Sequence, residues 1–492
     1  MAGSIKKLAG QTAVYGFSSM LGRLLNYLLV PLYTRVFHPG EYGVVTEFYA
    51  YVTFLLVVLT YGMETGFFRF SESKEGFNKT YATTLTSLFF TSMSFLVLIN
   101  LFAQPLAGLV QHPAHPEYIR WFGFILAFDA FSTIPFAKLR QQNKAWRFAI
   151  IKSINIGVNI GANLFFLLLC PAVAKSNPDA FILQIYNPTI GIGYIFISNL
   201  IASSVTLLAL LPDIFDVKYH FDKSLLRKML WYSLPLLIGG LAGMVNETID
   251  RILLKYLLPG SKDFVMSQLG IYGANYKLAI MMTIFIQMFR YAAEPFFFSE
   301  AKNKASKSLF AKVMLYFVLF GLLIFLGITG YIDIVKHFID SDYHEGLKIV
   351  PILLAANLFL GIYFNLSVWY KLNNKTRYGA WMAIFGAIIT LILNIILIPH
   401  IGYMGSALAT LVCYFSMMLI SWYLGKMHYP IPYNLKKIGM YMAIAAGIYV
   451  IFTWSNQQTD WIKYGLNTML ILAFAGFAVK KEGVIQQFIK RS

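Results

Sequence analysis

The sequence predicts an all-α integral membrane protein with about fourteen transmembrane helices, and its composition and pattern support that class. Hydrophobic residues make up 58% of the 492 residues, whereas charged residues make up only 13%. Soluble domains carry roughly a quarter charged residues, so this composition lies outside the soluble globular class. Apolar stretches of about 20 residues, long enough to cross the hydrocarbon layer, recur along the chain. No loop between them is long enough to hold a separate soluble domain.

The apolar stretches form two sets of six and a final pair. They lie near 9–37, 42–65, 81–103, 117–140, 147–172 and 189–213, then near 229–257, 265–292, 307–330, 346–370, 376–398 and 402–424, and finally near 437–454 and 460–478. The first stretch is too long for a signal-peptide core and lacks a small-residue cleavage site, so we interpret it as a retained span. The predicted divisions are an amino-terminal lobe at 1–213, a cytoplasmic linker at 214–228, a second lobe at 229–425, and an extra helix pair with a cytoplasmic tail at 426–492.

The distribution of positive charge orients these spans. The formal net charge of +18 could suggest a nucleic-acid partner, but the basic residues lie in short loops between apolar segments. A cytoplasmic amino terminus places roughly 28 Lys and Arg residues on the cytoplasmic side and about 8 on the other, as the positive-inside rule requires. We therefore predict that both termini are cytoplasmic and that nucleic acid is not a partner.

Polar, glycine and proline residues repeat between the two sets of spans. The matched pairs are Asn26 with Asn246, Arg35 with Lys255, Pro39-Gly40 with Pro259-Gly260, Tyr42-Gly43 with Tyr272-Gly273, Glu64 with Glu294, Asn143-Lys144 with Asn374-Lys375, and Asn163 with Asn394. Chance similarity between apolar helices is the alternative. Because each copy holds six spans, both would cross the membrane in the same sense, related by a pseudo-two-fold axis along the membrane normal. A substrate path is then expected at the interface of the two lobes, with alternating access.

Several charges lie inside predicted spans, where each costs about 2.5–3.5 kcal/mol on insertion scales. Arg23 and Lys277 have no obvious partner on their own helices, so we favour a binding role for both. Glu247 and Arg251 are spaced i, i+4 and could neutralise each other. Asp129 is either a structural partner of Arg23 or a protonatable coupling group. Arg69, Arg120 and Arg290 lie near interfaces, where a long side chain can reach water.

These charges give two sets of candidates. The predicted substrate-binding residues are Arg23, Asn26, Lys277, Arg251, Arg290, Glu64 and Glu294. The predicted ion-coupling residues are Asp129, Glu247 and Asp250. Guanidinium groups match phosphate oxygens bidentately, so a cationic path would favour an anionic headgroup. The mid-membrane charges are balanced, however, and do not by themselves indicate a strongly cationic path.

Motifs for other chemistry are missing from the sequence. There is no phosphate-binding loop of the G-x-x-x-x-G-K-[ST] type, no paired cysteine motif, no H-E-x-x-H and no nucleophile elbow. His112 and His115 lie in a proline-rich outer loop, where a solvated loop is favoured over a metal site. We predict no catalytic residue, no metal and no cofactor. Energy would come from an ion gradient, with H⁺ or Na⁺ as the coupling ion.

Two stretches resemble a known family. Residues 31–43, Pro-Leu-Tyr-Thr-Arg-Val-Phe-His-Pro-Gly-Glu-Tyr-Gly, follow the first span, and residues 392–410 cross the eleventh and twelfth. Both are similar to the Wzx-type polysaccharide flippases of the multidrug/oligosaccharidyl-lipid/polysaccharide (MOP) exporter superfamily, a likeness that covers nearly the whole chain. The resemblance implies two six-helix lobes and an extra helix pair that guides a lipid tail. In related lipid II flippases first-span arginines line a cationic cavity, and here only Arg23 fits that pattern, with Arg35 further out.

The resemblance also implies the function. The substrate would be a polyprenyl-diphosphate-linked oligosaccharide, moved from the cytoplasmic to the outer leaflet of the bacterial inner membrane, as in O-antigen lipopolysaccharide assembly. Membrane lipids and polysaccharide assembly proteins are the further expected partners. Three alternatives stay open: an ion-coupled multidrug exporter, a lipid II transporter, and a membrane polysaccharide polymerase or glycosyltransferase. The last would need a large outer catalytic loop or an acidic metal-binding loop, and the sequence contains neither.

Overall fold

Helices form every regular element of the described structure. The computed structural model describes residues 27–71, 74–177, 179–216, 220–301, 306–373, 375–455 and 458–483. No strand occurs in these ranges, as expected for a chain in lipid, where a helix satisfies its own backbone hydrogen bonds. The chain divides into two compact units, unit 1 at Met1–Lys255 and unit 2 at Tyr256–Ser492. The predicted lobe boundaries around 214–228 stay a prediction.

Unit 1 contains ten helices among its described residues. They are α1 (Val30–Val36), α2 (Pro39–Thr60), α3 (Met63–Phe70), α4 (Lys74–Leu101), α5 (Ala103–Leu109), α6 (Pro116–Gln141), α7 (Ala145–Leu164), α8 (Cys170–Ser176), α9 (Gly193–Phe215) and α10 (Lys223–Leu257, which ends just inside unit 2). A π-helical turn at Phe165–Leu169 joins α7 to α8, and short 3₁₀ turns lie at Phe181–Ile185 and Pro188–Ile190.

Unit 2 contains a further ten helices among its described residues. They are α11 (Lys262–Leu278), α12 (Ile280–Glu300), α13 (Ser306–Gly330), α14 (Ile332–Val335), α15 (Val350–Leu366), α16 (Val368–Leu372), α17 (Arg377–Ile401), α18 (Tyr403–His428), α19 (Leu435–Ser455) and α20 (Asp460–Lys481). Two 3₁₀ segments, Lys336–Phe338 and Ser341–Ile349, connect α14 to α15.

The membrane-spanning character of the chain is confirmed. Among the described residues, 12 helices are long and apolar enough to cross a membrane, and a bent pair, α11 with α12, makes up to 13. Each predicted span from the second to the fourteenth coincides with one of these. The predicted first span at 9–37 lies mostly outside the described residues. The count of fourteen and the internal repeat therefore stay predictions.

Helix α6 is the centre of unit 1 and packs against α2, α4 and α9. Beside it, Phe67 of α3, Tyr81 of α4 and Ile134 of α6 are fully buried in one core cluster. The bend between α2 and α3 requires glycine, because Gly62 has φ +71° and a Cβ there would lie 3.1 Å from the Ser233 carbonyl oxygen. This close approach brings α10 onto the bend and places Glu64 at the start of α3.

The strongest packing in unit 2 is that of α18, which lies against both α15 and α17. Helix α13 packs against α15, and it also contacts the last pair, α19 and α20. Ile388, Ile392 and Ile396 of α17 are each more than half exposed. In a soluble protein such a surface would be a liability, whereas on a membrane-spanning helix it suits contact with lipid hydrocarbon.

Candidate functional site

Each of the two units contains an ion pair that involves one of the predicted glutamates. Arg140 pairs with Glu64 in unit 1, and Lys371 pairs with Glu294 in unit 2. The predicted repeat aligns Glu64 with Glu294, and its later match of Asn143-Lys144 with Asn374-Lys375, one residue further in offset, aligns Arg140 with Lys371. Sequence reasoning selected the two glutamates but missed both basic partners. All four side chains are partly exposed, so each pair is worth roughly 0–1 kcal/mol and mainly positions its charges.

Arg290 lies on α12 at a narrow, mostly apolar cleft of unit 2. Its Cζ is 3.9 Å from the centre of the Phe364 ring, a cation–π contact. Glu294 and Lys371 line the same cleft beside Phe289. In the described part of the chain, Arg290 forms no ion pair with a carboxylate. The cleft holds about 20 Å³, enough for a single water molecule, so a larger ligand requires it to open.

Lys277 lies at a break between two helices. Helix α11 ends at Leu278 and α12 begins at Ile280, and the two axes are bent by 47°. The Ala279 amide bonds back to the carbonyls of Tyr276 and Lys277, so the chain turns there without a proline. Discontinuous spans of this kind carry binding sites in many transporters, because the break frees backbone groups inside the membrane. The structure thus places this predicted cation at an irregular point of its span.

Asp129 lies at the centre of a polar cluster in unit 1. Its carboxylate accepts a hydrogen bond of 2.8 Å from the Ser203 hydroxyl on α9. Lys152 of α7 lies within electrostatic range of the same carboxylate. One turn before Ser203, the Asn199 amide donates to the Tyr49 hydroxyl at 2.9 Å. A carboxylate, an ammonium group and several neutral donors therefore meet inside the helix bundle.

The cluster continues along α7 as a polar seam. Lys152, Asn155, Asn159 and Asn163 recur at helical spacing, which puts them on one face. Asn155 donates to Thr206 of α9 at 2.8 Å. Asn163 is fully buried, donates to Asn159 at 2.7 Å and accepts from the Tyr33 hydroxyl at 3.0 Å. We call the set Asp129, Lys152, Asn155, Asn159, Asn163, Asn199, Ser203 and Thr206 the polar seam.

The charged residues of α10 interact with one another. Arg251 Nη1 donates to the Asp250 carboxylate at 3.2 Å and to the Glu247 backbone carbonyl at 2.7 Å. The Arg251 amide also donates to the Asp250 carboxylate, at 2.8 Å. Asp250 is buried, and its charge is balanced by its sequence neighbour. The structure therefore brings all three predicted residues together at one place on the helix.

Arg23 and Asn26 lie outside the described residues. Their assigned roles, and the suggested contact of Arg23 with Asp129, stay predictions from sequence.

A buried ionic triad was missed by the sequence reasoning. Glu47 on α2 accepts from Lys255 Nζ at 2.6 Å and contacts His112 Nε2 at 2.9 Å. Lys255 also donates to the Val110 carbonyl at 2.5 Å. None of the three ionisable side chains is more than 5% exposed. An acid inside the apolar stretch 42–65 was the available signal, since a membrane carboxylate always needs an explanation.

Unit 2 contains buried side-chain oxygens that have no hydrogen-bond partner among the described residues. Thr390 Oγ1 and Asn394 Oδ1 lie one turn apart on α17, and Ser406 Oγ lies on α18, which packs against it. Neutral oxygen donors of this kind suit a hard cation such as Na⁺ better than a transition metal. In the described ranges, no group of three or more His, Cys, Asp or Glu side chains could hold a metal ion.

Sequence comparisons connect the chain to polysaccharide biosynthesis. A family model described as polysaccharide biosynthesis protein matches residues 8–301, more than half of the chain. A protein of the Lsg locus of Haemophilus influenzae is 21% identical over 302 residues, 61% of this chain and 68% of that protein. An uncharacterized membrane protein of Methanocaldococcus jannaschii is 25% identical over 202 residues, 41% of this chain and 45% of its own length.

Solved structures of a flippase and of a multidrug transporter share the fold of this chain. Lipid II flippase MurJ in an inward closed conformation superposes with a TM-score of 0.70 at 16% identity, covering 95% of this chain and 99% of that one. An inward-facing multidrug resistance MATE family transporter of the MOP superfamily has a TM-score of 0.63 at 12% identity, covering 85% and 97%. These likenesses show the fold, and the family model shows the family. The chain therefore belongs to the polysaccharide biosynthesis protein family and has the fold of the MOP superfamily transporters.

Proposed function

We propose that this protein is a flippase that moves polyprenyl-diphosphate-linked oligosaccharide repeat units from the cytoplasmic to the outer leaflet by alternating access. The match to the polysaccharide biosynthesis family over residues 8–301 carries the proposal. The shared fold with a lipid II flippase supports a lipid-linked substrate. Fold alone does not specify function, so the side chains of the site must account for the headgroup.

Arg290 is the described residue best suited to the diphosphate. Its guanidinium lies over the Phe364 ring and has no carboxylate partner among the described residues. A guanidinium in that position can donate two parallel hydrogen bonds to the oxygens of a phosphate. Lys277 at the helix break provides a second cation, and the sequence adds Arg23 and Arg251. Asn26, Glu64 and Glu294 would hydrogen-bond the sugar hydroxyls.

An ion gradient supplies the energy in this proposal. The membrane carboxylates Asp129, Glu247 and Asp250 are the candidates for proton coupling. Asp129 is favoured because the polar seam surrounds it with donors and one ammonium group. If Na⁺ is the coupling ion, the unsatisfied oxygens of Thr390, Asn394 and Ser406 offer ligands of the right chemistry. One charge moved through 100 mV yields roughly 2.3 kcal/mol.

The proposed location is the bacterial inner membrane with both termini cytoplasmic. The positive-inside count supports this orientation, because the ends of the spans richest in Lys and Arg then face the cytoplasm. Membrane lipids surround the helices, and proteins of polysaccharide assembly would receive the flipped product. No catalytic step is part of the proposal.

A multidrug exporter is the second candidate, and one observation favours it. The fold also matches a multidrug resistance MATE family transporter. Glu64 and Glu294 would then attract organic cations instead of binding sugar hydroxyls.

Reconstituted vesicles test the proposal directly. Purified protein is inserted into liposomes that contain a fluorescent polyprenyl-diphosphate oligosaccharide, and a membrane-impermeant quencher reports the fraction in the outer leaflet. We expect protein-dependent redistribution of this lipid and none of a matched lipid that lacks the diphosphate. Redistribution of neither lipid, with protein-dependent accumulation of a cationic dye, would support the exporter instead.

A further inference from the structure

A second cavity lies in unit 2, outside the candidate substrate site. It is enclosed by the end of α15 and the start of α16, the end of α18, and the segment 429–434 that leads to α19. Its lining residues include Trp369, Trp422, Lys426, Tyr429 and Tyr433. The cavity volume is about 330 Å³, within the range of small-molecule sites. Its lining contains one basic residue and no acidic residue.

The floor of this cavity is rigid. Trp369 is 1% exposed, its indole N–H donates to Ser421 Oγ at 3.3 Å, and its ring stacks on His428 at 5.3 Å. Gly425 permits this position, because a Cβ there would lie 2.9 Å from the indole. The cavity is thus a consequence of fixed packing between α16 and α18.

The outer wall is a short extended segment. Pro430 and Pro432 fix its backbone and prevent α18 from continuing. Tyr429 and Ile431 pack against the aromatic core that contains Phe297, which also lines the Arg290 cleft. Tyr433 is partly buried, and this burial raises the pKa of its phenol. The wall therefore connects the second cavity to the core beside the candidate substrate cleft.

One ammonium group lines the cavity, and a second lies against the wall residue Tyr429; neither has a described carboxylate partner. Lys426 lines it, with Nζ 5.9 Å from the Trp422 ring, and Lys307 Nζ lies 4.7 Å from the ring of Tyr429. Neither lysine forms an ion pair with any carboxylate that the structure describes. The nearby Lys437, in contrast, is neutralised by Glu482 at 3.0 Å. The local charge available to a ligand is therefore positive.

We propose that this cavity binds the headgroup of an anionic phospholipid. The phosphodiester would lie between Lys307 and Lys426, and the aromatic rings would enclose the glycerol. Leu366, Ile431 and Leu435 would take the first methylenes of the acyl chains. The proposed orientation, on which this inference rests, places the cavity at the cytoplasmic leaflet, where basic pockets between helices hold anionic lipid headgroups.

The test compares nanodiscs of phosphatidylcholine with nanodiscs that also contain phosphatidylglycerol. The full-length wild type, the K307Q/K426Q variant and the matched control K144Q/K223Q are unfolded thermally, and lipids retained by each are counted by native mass spectrometry. The control removes two exposed lysines far from the cavity in sequence. We expect phosphatidylglycerol to raise the Tm of wild type and control, and the K307Q/K426Q variant to lose most of that rise and at least one retained lipid.

Two results would overturn the assignment. One is an unchanged Tm rise and lipid count in K307Q/K426Q. The other is an equal Tm rise when inorganic phosphate is added to phosphatidylcholine nanodiscs, which would assign the site to a free anion. Neither readout depends on transport, so a failed flippase assay leaves this result interpretable.

Discussion

Lys255 Nζ lies 2.6 Å from Glu47 Oε1 in a site where neither side chain is more than 1% exposed. The two residues are 208 positions apart, on α10 and α2. His112 contacts the second oxygen of the same carboxylate. Two charges withdrawn from water are tolerated only when they compensate each other closely and the remaining hydrogen bonds are made. The Lys255–Glu47 ion pair therefore links the end of α10 to α2. The hydrogen bond from Lys255 to the Val110 carbonyl links the same end to the segment around Val110.

Breaking this pair should strongly destabilise the protein. We expect K255M or E47Q alone to lower the free energy of unfolding by about 3–5 kcal/mol, because each leaves a buried polar group without its partner. The double variant E47Q/K255M should cost much less than the sum of the two. Unfolding in detergent, arranged as a double-mutant cycle, measures the coupling. If the losses of unfolding free energy in the two single variants simply added up in the double variant, the Glu47–Lys255 contact would be contradicted. The control is K348M, which breaks an exposed pair with Glu345 and should cost under about 1 kcal/mol.

Asp129 should carry pH dependence if the proton is the coupling ion. An asparagine at this position keeps a hydrogen-bond acceptor for Ser203 but cannot take up a proton. We therefore expect D129N to fold, to retain slow redistribution of the lipid, and to lose the response of transport to a pH gradient. Vesicle transport measured with and without the gradient checks this.

The matched control for Asp129 is E345Q, which alters a carboxylate in the connection before α15. It should respond to the pH gradient as the wild type does. A full response in D129N would remove Asp129 from the coupling mechanism and leave Glu247 and Asp250 to be tested in the same way.

Arg290 should determine affinity for the diphosphate. R290A removes the guanidinium that lies over the Phe364 ring, and we expect at least a tenfold loss of transport, about 1.4 kcal/mol. R290K should recover only part of it, because an ammonium group cannot make the bidentate contact. Dose-response curves in vesicles measure both. The control is R120A: Arg120 is exposed near the start of α6, so this variant should transport normally. Equal activity of R290A and R120A would contradict the diphosphate-binding role of Arg290.

Because of Asp222, the stability of the start of α10 should decrease at acidic pH. Its hydrogen bond with Lys79, at 2.6 Å, is the main cause that lowers its pKa to about 2, and the Leu225 amide adds to the effect. A carboxylate with a depressed folded-state pKa stabilises the fold above its unfolded pKa, about 3.9, and loses that contribution as the pH falls toward 2. Protection of the Leu225 amide against hydrogen exchange, corrected for the intrinsic rate, should fall in that window.

Variants of the same contact distinguish this cause from general acid unfolding. D222N should show reduced protection already at neutral pH and little change between pH 4 and 2. K79Q should move the loss of protection to higher pH. An unchanged profile in K79Q would show that the lysine does not control the Asp222 carboxyl.

Local pattern was enough to predict the spans. Each of the thirteen later apolar stretches coincides with a long helix or the bent α11–α12 pair, because crossing length and apolar composition are properties of a short segment. The break at Ala279 was not predicted, since no proline or glycine marks it. Such a bend depends on packing against neighbouring helices, and the sequence of a single segment does not show which helices will pack against it.

The residues that pair with the predicted carboxylates were much harder to predict than the carboxylates themselves. Glu64, Glu294, Asp129 and Asp250 were recognised because a carboxylate inside an apolar stretch is conspicuous. Their partners Arg140, Lys371 and Ser203 come from distant segments or from residues that look ordinary in sequence. The spacing of Glu247 and Arg251 suggested a pair, and the structure shows that Arg251 bonds to the Asp250 carboxylate and to the Glu247 backbone carbonyl. Helical spacing limits the possible contacts, and packing selects among them.

The leaflet in which lipid-linked repeat units reside after depletion of this protein tests the flippase proposal most directly. Cells are depleted of the protein, and an outer-surface probe measures the exposed fraction of polyprenyl-diphosphate-linked single repeat units. We predict that single units accumulate facing the cytoplasm and that re-expression restores their exposure, whereas the R290A variant does not. Normal exposure of these units at the outer face after depletion would contradict the proposed function.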